Sequence, residues 1–374
     1  MTRQYDSSTG DVAQGILTFI ELAVLVGPPL IARLRKGMSG KTDPYLNDDI
    51  DYLLKRYSDE TPIAEGVPYV EVIDLLGPTD REIQIKVLPG KFPLNRCKQG
   101  QLWRTLSDAG YQALTQSGRV APDWDDNIIR LGSVIIEGDT CYLTIQRASY
   151  LQQARSNLIL DYHPMPDAES ATLRNELIRQ YGGKLPPLSD RRLANTVGIA
   201  CLLYYREDNR YVPYLVKRVN RVGVMPGGVH CTASGAAAWP KHVEDTFDGF
   251  FTIDMYREIE EEVGLTQSDI EDLRPVALCR EFLRAGKPQV FYAGIVRLSR
   301  KQLRERRLQA AQTIERTKGW PEVQRDLFLR STDVVIPPEE LEQALNSRGV
   351  TIEGIAALRF GLRYLVDRFG AVSE

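Results

Sequence analysis

Apolar and polar residues recur along this chain with two different periods, and the places where the period changes outline its elements. Val12 to Ala32 is almost wholly apolar, with Glu21 as its only charge and Arg33, Arg35 and Lys36 following. A run of that length could just cross a bilayer. A glutamate at mid-run is costly in lipid, and Gly27-Pro28-Pro29 ends the helix early. No basic leader precedes the run, so it is a poor secretory signal. The pattern therefore favours an apolar N-terminal helix buried against the protein or a second subunit, which would make a homodimer. Membrane attachment is the competing expectation.

Residues 43–65 are polar, with a short helical pattern at Ile50, Tyr52, Leu53 and Leu54. Between Tyr69 and Leu88, two alternating runs flank Gly77-Pro78-Thr79-Asp80 and predict strand, turn, strand. A helix is expected over 101–117. Ile128–Glu137 and Cys141–Gln146, joined by Gly138-Asp139, predict a hairpin. Leu173–Tyr181 reads as a helix ended by Gly182-Gly183, and Leu185-Pro186-Pro187-Leu188-Ser189-Asp190 as an extended junction. The expected organisation is a helical segment over 1–59, an α+β domain with its connecting helix over 60–185, and a second domain over 186–374.

In that last region, strands are expected at Val197–Tyr205 and Tyr211–Arg218, then a Gly-rich stretch over Val222–Ala238. A helix near Asp254–Val263 follows, then strands at Pro275–Arg284 and Val290–Leu298. Helices are expected at Arg300–Lys318, after Pro337-Pro338, and at Ile352–Phe369.

Composition narrows the function classes. The 374 residues carry 47 Lys+Arg against 50 Asp+Glu, a net charge of −3, with 43% hydrophobic and 26% charged residues. These are values of a folded globular chain long enough for two domains. They lack the basic excess of a protein built to coat nucleic acid. Five cysteines, Cys97, Cys141, Cys201, Cys231 and Cys279, include no CxxC pair. That argues against a disulfide framework or zinc ribbon and favours a reducing cytoplasm. Ser39-Gly40-Lys41-Thr42 ends like a phosphate-binding loop, but Arg35 stands where that loop needs glycine and Pro44 interrupts the helix that should follow.

The most informative segment is Arg257-Glu258-Ile259-Glu260-Glu261-Glu262-Val263-Gly264-Leu265. At about 100° per residue, Glu258, Glu261 and Glu262 share one helical face. Met255, Ile259 and Val263 line an apolar face beside it. Three like charges on one face repel. The ordinary meaning of a glutamate run is a solvated surface, and the alternative is a hard divalent cation held by carboxylate oxygens.

The string matches Arg-Glu-apolar-x-Glu-Glu-x-Gly-apolar at every specified position, a coincidence on the order of 10⁻⁷ per position by residue frequency. It resembles the helix signature of the Nudix hydrolase superfamily. The resemblance covers about residues 190–300, where a strand pair, Pro226-Gly227-Gly228 and Ser234-Gly235 precede the helix. It implies an α/β fold, a Nudix-like α/β/α sandwich around a mixed sheet, with the α+β domain added in front. It implies that Glu261 and Glu262 bind Mg²⁺ or Mn²⁺, that Glu258 contributes to the metal and can serve as base, and that Arg257 orients them. Gly235 is the best match for a loop glycine offering its carbonyl to the metal, with Gly228 second. The implied reaction is hydrolysis of a diphosphate linkage in a nucleotide-type small molecule.

The loop half departs from the family pattern. Gly249 and Val243 stand where glutamate and glycine are usual, and Gly235 precedes Arg257 by 22 positions instead of 14. Glu244, Asp245 and Asp248 are candidates for the missing acid. Arg218 and Arg221 could meet phosphate bidentately. His230 and His242 flank the loop without metal-ligand spacing. Trp239 and Tyr292 could stack on a base, although core packing is the commoner role. Glu281 is a candidate downstream ligand or base, and Glu353 reads as an acid in a helix's first turn. The altered loop leaves a second expectation open, a nucleotide-binding sensor with little hydrolysis.

Overall fold

The computed structural model describes residues 44–77, 82–94, 100–122, 125–164, 171–207, 210–217, 228–241, 245–316, 332–335 and 349–369. The apolar run of 12–32, Ser39–Thr42, Arg218, Arg221, His242, Glu244 and the helix expected just after Pro338 lie outside them.

In chain order the elements are α1 (Ile50–Arg56), β1 (Tyr69–Asp74), β2 (Glu82–Lys91), α2 (Gln101–Gln116), β3 (Asn127–Glu137) and β4 (Thr140–Ser149). Then come α3 (Tyr150–Ala154), α4 (Leu173–Tyr181), β5 (Gly198–Glu207), β6 (Arg210–Lys217), β7 (Val229–His230) and β8 (Ala233–Ala236). The chain continues with α5 (Ile253–Val263), β9 (Ile270–Glu281), β10 (Lys287–Val296), α6 (Arg300–Arg316), β11 (Thr332–Val335) and α7 (Ile352–Phe369). The fold is mixed α/β. No helix among the described residues is long and apolar enough to cross a membrane.

The larger sheet runs β1-β9-β10-β5-β6-β11, with β8 on β5 and β7 on β6. It is mixed: β10 pairs β5 in parallel, and the other pairs are antiparallel. Ile199, Cys201, Leu203 and Tyr205 of β5 face one core, and Ala200, Leu202 and Tyr204 face the other. A strand buried on both faces needs apolar residues at every position, which is why Val197–Tyr205 reads as an unbroken apolar run. Helix α5 covers one face through Met255, Ile259 and Val263. Helix α7 covers the other through Ile355, Leu358, Leu362 and Leu365. Each such buried side chain contributes about 1.5–3 kcal/mol.

The smaller sheet, β2-β4-β3, contains the hairpin legible at Gly138-Asp139, where Gly138 takes the left-handed φ of 59°. The two runs flanking Gly77-Pro78 do form strands, but in different sheets. Strand β2 pairs β4 in parallel, whereas β1 pairs β9 antiparallel. The sequence boundary at 185/186 is thus crossed by strand pairing, and α1, α2 and α4 share the core that α7 covers. The smaller sheet is stitched to the segments flanking β5 and β8. Ile129 N donates to Ala237 O (2.8 Å), and Val197 N donates to Ile129 O (2.7 Å).

Candidate functional site

Helix α5 ends where the sequence requires. Gly264 adopts φ 72° and its N–H closes on Glu260 O (3.0 Å), a left-handed cap that only glycine takes without strain. A π-helical turn, Asp248–Thr252, leads into α5. With its apolar face on the core, α5 presents Arg257, Glu258, Glu261 and Glu262 along its flank.

Arg257 binds three acids at once. Its Nε donates to Asp254 Oδ1 (2.7 Å), Nη1 to Glu261 Oε2 (2.6 Å) and Nη2 to Glu258 Oε1 (2.6 Å). The guanidinium fork suits such multidentate binding. Asp254 is itself pinned, accepting from Ala238 N (2.7 Å). The acid that completes this network is therefore Asp254. Among the three acids proposed from sequence, Asp248 accepts from Thr252 Oγ1 (2.7 Å), Asp245 is exposed, and Glu244 is not described. The signal for Asp254 was its i, i+3 spacing to Arg257, which places both on one face.

Strand β8 closes the site from the other side. Glu262 Oε2 accepts from Ser234 N (3.2 Å). A Cβ on Gly235 would lie 2.5 Å from Glu258 Cδ, so the carboxylate occupies the space that glycine leaves open. The backbone of Gly235 is thus packed directly on Glu258. Gly228 is half-buried just before β7, and no described contact links it to the glutamates. The carboxylates of Asp254, Glu258 and Glu261 share one guanidinium, and Glu262 stands beside them on the Ser234 N–H. Burial pushes the Glu258 carboxyl well above the usual carboxylate range; Arg257 opposes the shift, and Glu262, Asp254 and Glu261 add to it.

On the opposite face of β8 lies a polar cavity of about 160 Å³, lined among others by Tyr69, His230, Glu281, Arg284, Lys287 and Glu353. Strand register builds it: Tyr69 is opposite Glu281, and Glu281 is opposite Lys287. Glu281 is buried and paired with Arg284 Nη2 (2.8 Å), and Tyr69 donates to it from 3.4 Å. Glu353, in the first turn of α7, accepts from Gln289 Nε2 (3.0 Å) and lies 3.9 Å from His230 Nε2. His230 contacts Thr351 Oγ1 (2.6 Å) and Ser234 Oγ (2.8 Å) through its two ring nitrogens.

Of the two aromatics considered for base stacking, Tyr292 is buried and meets Thr252 Oγ1 at 3.3 Å, and Trp239 packs edge-on against Phe250. Both are core contacts. The sequence reading missed Arg284, Lys287 and Tyr69. Only the pairing of β1, β9 and β10 brings these three together.

No family profile matches the chain, and no curated protein matches it. Among solved structures, DR0079 from Deinococcus radiodurans, in a crystal structure at 1.9 Å resolution, is similar over 28% of this chain and 57% of that chain, at 13% identity and a TM-score of 0.21. The match therefore spans little more than half the length of DR0079.

Proposed function

We propose that this chain is a Nudix-type, divalent-metal-dependent hydrolase that cleaves a diphosphate linkage in a nucleoside-diphosphate-type substrate. The observation that carries the reading is the packing of Glu258 on Gly235 of β8 and of Glu262 on the Ser234 N–H, with Arg257 bridging Asp254, Glu258 and Glu261. An α/β/α sandwich is the matching reading of a mixed sheet with α5 on one face and α7 on the other.

The donor set fits Mg²⁺ or Mn²⁺. It consists of hard carboxylate oxygens, three of whose side chains share the Arg257 guanidinium, beside the backbone of Gly235. Glu261, Glu262, Glu258 and Gly235 would hold the ion. When bound, the ion supplies charge neutralisation for the diphosphate and a more acidic water.

The chain's own residues do the rest. Arg257 fixes the rotamers of Glu258 and Glu261, so the ordering cost is met before substrate arrives. Burial raises the proton affinity of Glu258 above that of an ordinary carboxylate, which suits a group that accepts a proton. The backbone N–H of Ser234 holds Glu262 in place. The test is diphosphate cleavage by the wild type, with Mg²⁺, across ADP-ribose, dinucleoside polyphosphates, NADH, nucleotide sugars and nucleoside triphosphates. Tight binding without turnover would favour a sensor instead.

A further inference from the structure

The cavity behind β8 contains charge that the glutamate site does not use. Lys287 is 2% exposed, and among the described residues its Nζ forms no hydrogen bond or ion pair. A Cβ on Gly198 would lie 2.5 Å from that Nζ, so the ammonium rests over a bare strand backbone. An unpaired buried cation is costly. The other charges around it are already matched. Glu281 of β9 is paired with Arg284 of the β9–β10 turn, and Glu353 of α7 accepts from Gln289 of β10. Tyr69 of β1 donates to Glu281, and His230 of β7 is engaged at both ring nitrogens. Gln153, also buried on the cavity wall, accepts from Thr196 Oγ1 through Oε1 (2.6 Å), which leaves its Nε2 as a donor.

A metal ion is the less suitable occupant. His230, Cys231 and Glu353 lie close enough together to hold one. However, a cation taken by His230 would have to displace its bond to Thr351 or to Ser234, and it would share the cavity with Lys287. An anion gains Lys287 as a partner, while Glu281 stays paired with Arg284 and Glu353 stays bonded to Gln289.

We infer that this cavity binds an oxyanionic group of the ligand, a carboxylate or phosphate other than the diphosphate that is cleaved, with Lys287 as its cation and Gln153 as a supporting donor. The inference rests on the proposed hydrolase reading only in assigning that oxyanion to the substrate. Ser234, Gly235 and Ala236 line the cavity, and Gly235 also backs Glu258, so the cavity and the glutamate site adjoin across the backbone of β8. The selected substrates then carry a second acidic group. Burial brings the Lys287 ammonium down to about 7, with Arg284 lowering it further and Glu281 and Glu353 opposing. Bound oxyanion stabilises the protonated form, so binding takes up a proton above neutral pH.

The test is calorimetric titration of the metal-free, full-length protein with sulfate and, separately, acetate. Neither probe titrates between pH 7 and 8, and the pair separates a tetrahedral from a planar preference. One anion should bind the wild type. Lys287→Met should weaken it at least ten-fold, Lys287→Arg should retain part of the affinity, and Glu261→Gln should bind like wild type. Affinity should fall several-fold from pH 7 to pH 8. If Lys287→Met does not fold, wild-type titrations in two buffers of different ionisation enthalpy still report proton uptake at pH 8. Equal affinity in Lys287→Met, no binding of either anion, or no proton uptake overturns the inference. None of these readouts requires turnover. A protein that binds sulfate through Lys287 but cleaves nothing would refute the hydrolase reading alone. One that cleaves diphosphates with unchanged KM in Lys287→Met would refute this inference alone.

Discussion

Gly235 and Glu258 share one small volume: the carboxyl carbon of Glu258 lies 2.5 Å from where a Cβ on residue 235 would stand. A strand and a helix from opposite ends of a long connection are fitted to each other by the missing side chain. The metal-site reading depends on this fit, and a single methyl group is enough to test it.

Gly235→Ala should therefore push Glu258 out of place while leaving the sheet paired. The expected outcome is a loss of about 10–100-fold in metal affinity or kcat/KM, the usual cost of disturbing a ligand's support. Far-ultraviolet circular dichroism should stay unchanged. Gly228→Ala, at a glycine with no described contact to the glutamates, should lose much less.

Arg257→Lys keeps the positive charge but cannot reach Asp254, Glu258 and Glu261 together, because an ammonium is a point donor rather than a fork. Activity should fall at least ten-fold, nearly as far as in Arg257→Gln. Asp254→Asn should weaken the same network through its bonds to Arg257 and Ala238. Kinetics of Arg257→Lys, Asp254→Asn and the double variant should show strong non-additivity, since both act on one unit.

The raised proton affinity of Glu258 fixes the sign of a pH effect on stability. Its folded-state value lies above the unfolded one, near 4.3, so the unfolded state releases this proton first as pH rises. Without metal, the contribution is fully present below about pH 4.3 and is lost as pH climbs through the folded-state value. Thermal melts of metal-free protein should show this loss, and Glu258→Gln should remove it. Added Mg²⁺ should restore stability more at pH 8 than at pH 6, because it favours the ionised carboxylate.

Most of the architecture could be read in the chain because its two periods report burial directly. Helix α5, its Gly264 cap, the Gly138 hairpin and the doubly buried β5 all follow from local pattern. The glutamate face was legible for the same reason: one helix carries every member. Asp254 lay within reach of that logic, three residues before Arg257, yet counting against a family spacing pointed further upstream. The Lys287 cavity was not legible. Its walls come from Tyr69, Gln153, His230, Lys287 and Glu353, and only sheet register and the placement of α7 bring them together. The separation of β1 from β2 into different sheets was hidden likewise, since alternation identifies a strand but not its partner.

The central claim is that Glu261, held by Arg257, belongs to a metal-dependent diphosphate hydrolase. The most direct measurement is product formation from the diphosphate panel with Mg²⁺, comparing the wild type with Glu261→Gln. The account predicts cleavage of at least one diphosphate by the wild type, abolished by chelator and reduced at least 100-fold in Glu261→Gln, with both proteins folded. Equal cleavage by the two proteins, or none by the wild type with any substrate in Mg²⁺ or Mn²⁺, would contradict it.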